Sequence, residues 1–229
     1  MSWVTFTDIT EKGKIPTMST GKFIVIEGME GAGKSSAISV IENILTTQGI
    51  EYINTREPGG TPLAESLRDM VKSVDHQEKL TVETELLLMY ASRSQLLANK
   101  ILPALAAGKW VIGDRHDLSS RAYQGGGRGF DEVIMNTISD ITLKGFRPDI
   151  TLYLDIDPHI GLSRAKARGD LDRIELEQMD FFIRVHNKYR ELAEQDKSIV
   201  TVDASQTMSQ VHQDIEKSVI EFIAKKDLN

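Results

Sequence analysis

The sequence predicts a three-layer α/β/α chain, with a five-stranded parallel sheet held between two layers of helices. Short apolar, β-branched runs alternate with amphipathic stretches along most of its length, the pattern of repeated βαβ units. A glycine-rich segment joins the first apolar run to the first helical stretch, and no repeat, low-complexity tract or linker divides the chain. At 229 residues it fits one domain (19–229) with a small lid at about 164–175, preceded by a flexible extension over 1–18.

The first strand is expected at 22–27, where Phe23-Ile24-Val25-Ile26 shows no polar alternation and so reads as buried on both faces. Ile38, Ile41 and Leu45 then recur at helical spacing over 34–48. A second strand at 51–55 runs into Pro58-Gly59-Gly60, a tight turn, and Thr61 is placed to cap a helix over 61–72. The stripe Leu86, Met89, Tyr90, Leu97, Ile101 and Leu105 predicts one long helix over 81–106. Further strands are expected at 109–113, 150–155 and 198–202, and further helices at 131–144, 158–168, 175–194 and 207–225. Ligands of open parallel sheets bind beyond the carboxyl ends of the strands, which directs attention to Glu27-Gly28, Arg56-Glu57 and Asp114-Arg115.

Composition excludes several function classes. There is no cysteine, hence no disulfide and no thiolate metal site, which is compatible with a reducing cytoplasm. The net charge of −7 argues against a nucleic-acid partner, which needs a basic face. No apolar run approaches the roughly 18 residues of a membrane span. Residues 1–18 lack the basic-then-apolar pattern of a signal peptide, and Met18 could itself be a start.

Gly28 to Ser35 read GMEGAGKS, a complete G-x-x-x-x-G-K-[ST] phosphate-binding loop between a strand and a helix. Gly28, Met29, Glu30, Gly31, Ala32 and Gly33 would curl so that backbone N–H groups face phosphate oxygens, with Ser36 beginning the helix behind them. Lys34 would reach the terminal phosphates and Ser35 would ligate Mg²⁺. This context predicts binding of a nucleoside triphosphate. An acid for the metal is expected at a strand end, either Asp114 or Asp155, and Asp114 is preferred because Arg115 follows it. Arg56 enters the Pro-Gly-Gly turn as a candidate phosphate ligand, and Arg68 follows on the next helix. Arg93 falls on an apolar stripe and needs a partner, so it reads equally as a structural ion pair or as a pocket wall beside Met89 and Tyr90. Arg164, Arg168 and Arg173 flank Gly169, as in a hinged lid or in a solvated helical turn.

The segments FIVIEGMEGAGKSS, TREPGGTPLAE, VIGDRHDLSSRAYQGGGRG and RPDITLYLD, with the arginine-rich stretch after them, resemble the thymidylate kinase family from about Lys22 to near the C-terminus. The resemblance implies the P-loop NTPase fold and Mg²⁺-dependent transfer of the ATP γ-phosphoryl group to the 5′-phosphate of dTMP. It implies that Lys34, Ser35 and the loop amides hold ATP and magnesium, with Asp114 in the metal shell. It implies that Arg56 and Arg115 grip the acceptor phosphate, supported by Arg68, with Glu57 and Pro58 of the same turn beside them. Glu30 would lie near the acceptor 3′-hydroxyl, Arg93, Gln124 and Ser120 at the thymine edge, and Tyr123 under the deoxyribose. Charge on the transferring group would be met by Arg168 or Arg173 of the lid, and the family's homodimer is expected. One position departs from the family: Met89 stands where a phenylalanine commonly stacks on thymine, and a thioether can also lie against that ring. Two other functions fit parts of the pattern: a related kinase acting on dUMP or dCMP, and a nucleotide-dependent switch, although no N-K-x-D guanine element is present.

Overall fold

Five strands, β1 (Phe23–Gly28), β2 (Tyr52–Arg56), β3 (Trp110–Asp114), β4 (Ile150–Asp155) and β5 (Ile199–Asp203), form one parallel sheet in the order β2-β3-β1-β4-β5. The computed structural model describes residues 21–75, 77–169 and 171–226, with only the backbone of Arg168, Lys225 and Lys226. The expected extension at 1–18 lies outside the described residues.

The uniform apolar run of β1 is explained by its central place. All six of its residues are buried, and alternate side chains enter opposite layers. Ile24 and Ile26, with Ile112, Leu152 and Leu154, pack with Ala37, Ile41 and Leu45 of α1 (Lys34–Thr47) and Ile215 and Val219 of the C-terminal helix. Phe23, Val25 and Val111 face the other way, onto Leu96, Leu97, Ile101 and Leu105. Each fully buried side chain of this size contributes about 1.5–3 kcal/mol relative to exposure.

Between β2 and β3 run α2 (Pro62–Lys72) and α3 (Val82–Leu96), the latter continuing through a π-helical turn (Leu97–Ile101) into α4 (Leu102–Ala106). The single helix expected over 81–106 is therefore interrupted, just before Pro103, which has no N–H to continue the ladder. Thr61 caps α2 as expected, accepting from the Ala64 N–H. After β3 comes an element the sequence did not suggest: α5 (Asp117–Ser120), extended by a π-helical segment over Arg121–Gly127. Three consecutive glycines argue against a helix there, but they permit close packing. A Cβ on Gly126 would fall 2.6 Å from Lys188 Cβ, and one on Gly127 2.4 Å from Phe181 Cε2, both on the following long helix.

The remaining helices are α6 (Glu132–Leu143), α7 (Pro158–Arg168), α8 (Met179–Gln195) and α9 (Met208–Lys226). The helix expected from residue 175 begins four residues later. The Asp172 carboxylate captures the N–H groups of Ile174 and Glu175 at 2.9 and 3.0 Å and holds a local turn instead. Register sets the geometry of the site: Ile26 lies beside Asp114, and Asp114 beside Arg56, so the carboxyl ends of β1, β3 and β2 are level.

Candidate active site

The carboxyl ends of β1 and β3 open into a cleft of about 430 Å³, lined on one side by the phosphate loop and on the other by Pro58, Arg68 and Met89. Gly33 precedes α1 with φ 93° and no side chain caps the helix, so its first N–H groups are left for an anion. Lys34 folds back over the loop, donating to the carbonyls of Gly28 and Met29, each at 3.0 Å. Burial, and next the positive charge of Arg115, bring the Lys34 pKa down from 10.5 to about 8. Gly31, at φ 73°, lies against α7 so closely that a Cβ would fall 2.0 Å from the Gly161 carbonyl oxygen.

Arg115 follows β3 with φ 73°, an unusual conformation for a residue with a side chain, fixed by its N–H bond to Ile26 O at 2.9 Å. Its guanidinium donates to Glu30 Oε1 at 2.6 Å and to Ser119 Oγ at 3.1 Å. Tyr123 donates to the other Glu30 oxygen at 2.5 Å. Burial favours a neutral Glu30, but the charges of Arg115 and Lys34 outweigh it and hold its pKa below the usual carboxylate range. Arg68 lines the cleft and donates to Pro58 O at 2.7 Å, and the Glu57–Pro58 peptide is cis. Arg56 points away: its side chain is 54% exposed and paired with Glu65 at 2.9 Å.

Met89 and Gln124 line the far part of the cleft, whereas Arg93 and Ser120 lie behind its wall. Arg93 is 1% exposed and donates to Glu57 Oε2 at 2.6 Å, Ser120 Oγ at 2.9 Å and His116 O at 3.0 Å. The ion pair with Glu57 clamps the β2 turn to the segment after β3, while Arg93 Nη1 is buried without a hydrogen-bond partner. Burial alone would lower the Arg93 pKa, and the carboxylates of Glu57 and Asp117 reverse the shift upward. Gln124 donates from Nε2 to Glu85 at 2.9 Å, while its Oε1 is buried without a hydrogen-bond partner.

In the arginine-rich segment, Arg164 lines the cleft beside Gly31. Arg173 is turned from the phosphate loop: it donates to Val71 O at 2.8 Å and Glu85 Oε2 at 2.6 Å, next to a 2.6 Å Lys72–Asp172 ion pair. The Arg168 side chain lies outside the described residues.

A family model described as thymidylate kinase matches residues 26–215. The chain is 90% identical to "Thymidylate kinase" of Colwellia psychrerythraea over 210 residues, covering 92% of this chain and 99% of that protein. It is 58% identical over 205 residues to proteins of the same name from Alteromonas mediterranea and Pseudoalteromonas translucida, covering 90% of this chain and 92% and 98% of theirs. The chain belongs to the thymidylate kinase family.

A thymidylate kinase is expected to carry Mg²⁺ with its nucleotide, and the residues present fit that ion. Asp114 Oδ1 is buried without a hydrogen-bond partner, and Asp114 and Ser35 both line the cleft. The rival acid, Asp155, is engaged by His186 Nε2 at 2.6 Å and Tyr153 at 3.1 Å. Among the described residues no cluster of three or more His, Asp or Glu side chains forms a cage of its own, as suits a metal held largely by phosphates and water. No helix of the described residues is long and apolar enough to cross a membrane.

Two buried carboxylates beside this thymidylate kinase cleft were given no role in the sequence, Glu27 at a strand end that had been singled out and Glu85 not at all. Glu27 is fully buried and accepts from the N–H groups of His116 and Ser119 and from the hydroxyls of Ser119 and Tyr189. Burial raises its pKa against those donors. Its signal was a lone charge inside an apolar strand. Glu85, four residues before Met89 and eight before Arg93, falls on the buried face of α3, and a carboxylate at that spacing was the available sign.

Proposed function

We propose that the chain transfers the γ-phosphoryl group of ATP to the 5′-phosphate of dTMP, giving dTDP and ADP. The observation that carries this reading is a pair of cationic centres on one cleft, Lys34 of the phosphate loop and Arg115 at the end of β3. They are near enough that the charge of Arg115 helps depress the pKa of Lys34. Two like charges held together suit two polyanions brought end to end. An oxygen of the dTMP phosphate forms the new P–O bond, and the bond from the γ-phosphorus to the β,γ-bridging oxygen breaks.

On the donor side Lys34 exchanges the carbonyls of Gly28 and Met29 for the β- and γ-phosphates, together with the loop amides. Ser35 and Asp114 would hold Mg²⁺, which supplies positive charge to the phosphates. On the acceptor side Arg115 and Arg68 take the 5′-phosphate, and Arg56 reaches it only by leaving Glu65. Tyr123 stays anchored on Glu30 with its ring toward the sugar, and Met89 covers the base. Arg93 and Ser120 brace the base pocket from behind. Arg173 joins the transferring group by leaving Glu85 as residues 164–175 close like a lid, and Arg168 is assigned with it by resemblance alone.

A homodimer accompanies this reading. Leu63 and Met70 on α2, Leu87 on α3 and Val133, Ile134 and Ile141 on α6 are exposed apolar side chains, and α2 and α6 both pack against α3. Light scattering across a dilution series tests it: a mass of about 25.6 kDa throughout contradicts the dimer. For the reaction itself, a coupled ADP-release assay with dTMP, dUMP and dCMP is decisive. Turnover is expected with dTMP foremost, and hydrolysis independent of any acceptor would overturn the reading.

A further inference from the structure

Glu85 plays no direct part in phosphoryl transfer, yet its carboxylate is buried to 1% exposure beside the base end of the cleft. Three side chains converge on it. Gln124 Nε2 donates to Oε1 at 2.9 Å, and Arg128 makes a two-point contact, Nε to Oε1 at 3.1 Å and Nη2 to Oε2 at 2.9 Å. Arg173 Nη2 adds a bond to Oε2 at 2.6 Å. Burial favours the neutral acid, but the bonds and charge of Arg128, with the Gln124 and Arg173 contacts, outweigh it and lower the pKa.

An ionised carboxylate accepts hydrogen bonds and cannot donate one. A carboxamide beside it must therefore present its NH₂ group to the carboxylate and its oxygen elsewhere. Gln124 does so. Its Oε1 is buried, has no partner, and belongs to a residue lining the cleft. An isolated glutamine could turn over and serve as donor or acceptor as each ligand required. Here that freedom is lost.

We propose that Glu85 is a specificity-determining positioning residue: by fixing the Gln124 carboxamide it makes the base pocket an acceptor. The pocket then takes pyrimidines with an N–H at ring position 3, the imides thymine and uracil, and rejects cytosine, whose N3 is itself an acceptor. The inference rests on the reading that a pyrimidine monophosphate occupies this cleft. Arg128 holds the carboxylate at both oxygens, so the constraint survives departure of Arg173 when the lid closes. A site built to bond a substrate N–H discriminates against an analogue lacking it by up to about 10⁴–10⁵-fold, because a buried group is left unpaired.

The test compares kcat/KM for dTMP, dUMP and dCMP, with KM for ATP, in the wild type and in Glu85→Gln, Glu85→Asp and Gln124→Leu. Glu85→Gln permits either amide orientation, and the dTMP/dCMP ratio is expected to fall at least about tenfold while dUMP tracks dTMP and KM for ATP is unchanged. Glu85→Asp keeps the negative charge near both arginines but draws the carboxylate back from all three partners by one methylene, which weakens its hold on Gln124. It should show an intermediate loss of discrimination even if Glu85→Gln does not fold. Adding Gln124→Leu to either variant should change the ratio no further than Gln124→Leu alone, since both act through one amide. Unchanged discrimination in the folded Glu85 variants overturns the inference, and so does a ratio that falls only in step with KM for ATP. A wild type without dTMP turnover overturns the broader reading instead.

Discussion

Glu30 and Arg115 form an ion pair of 2.6 Å that joins the phosphate loop to the end of β3. The pair crosses the floor of the cleft, and Tyr123 closes it by donating to the second Glu30 oxygen at 2.5 Å. Arg115 is thereby aimed before any phosphate arrives. Its Nη1 bonds, to Ser119 at 3.1 Å and Tyr189 at 3.4 Å, go to hydroxyls that themselves donate to Glu27.

Removing that guanidinium should hurt the acceptor and spare the donor. Arg115→Ala is expected to lower kcat/KM for dTMP about 10–100-fold, the scale of a lost hydrogen bond to a charged group at about 1.5–3 kcal/mol. KM for ATP should stay near the wild-type value. Initial rates with each substrate varied in turn check this, and an equal loss for ATP would contradict the assignment.

Lys34 gives a prediction in pH. Its pKa of about 8 in the folded chain lies below the ordinary 10.5, so between those values the unfolded chain holds a proton that the folded one has released. Its contribution to stability therefore rises with pH across that window and is least favourable below it. Phosphate binding needs the charged form, so kcat/KM for ATP, which reports the free enzyme, should decline above about pH 8. At saturating ATP the phosphates hold the proton on, and kcat should persist to higher pH. Lys34→Ala should lose about 10²-fold or more in kcat and lose the decline with it. A decline that survives in Lys34→Ala belongs to another group.

Met89 lines the cleft yet is as buried as the core side chains, so substitution separates a cover for the base from ordinary core. Met89→Ala should raise KM for dTMP and leave that for ATP alone, by the loss of a sulfur–ring contact worth about 0.3–1.5 kcal/mol. Met89→Phe should match or improve the wild-type KM for dTMP. If instead it loses about 1–3 kcal/mol of stability with no gain in binding, the residue is core.

Gly127→Ala tests the packing of the π-helical segment. The added methyl would fall 2.4 Å from Phe181 Cε2 and 2.8 Å from Val185 Cγ2, both fully packed in the cluster under α8. A loss of about 1–3 kcal/mol in denaturant unfolding is expected. Wild-type stability would mean that α8 yields there freely.

The sheet was legible because β1, β3 and β4 are buried on both faces and their apolar runs are unmistakable. The phosphate loop was legible because its geometry demands glycines at set positions. The segment 121–127 was not, because its glycines answer to a neighbouring helix, and local propensity carries no record of a contact made far along the chain. The roles of Arg56 and Arg173 were read from their places beside glycines and from the family resemblance. Their acid partners, Glu65 nine positions on and Glu85 on another helix, decide where each guanidinium rests, and only the folded chain brings them together.

The meeting of Gly31 with Gly161 has a mechanical consequence. With no side chain between the two backbones, the phosphate loop and the first turn of α7 are seated on one another, and that end of the helix cannot slide without dislodging the loop. It can serve as a fulcrum. From Gly161 to Arg168 the helix is a lever arm of about 10 Å, at about 1.5 Å per residue, so a tilt of about 20° swings its far end by about 3–4 Å. The far end of the helix can thus be displaced while the phosphate loop stays still.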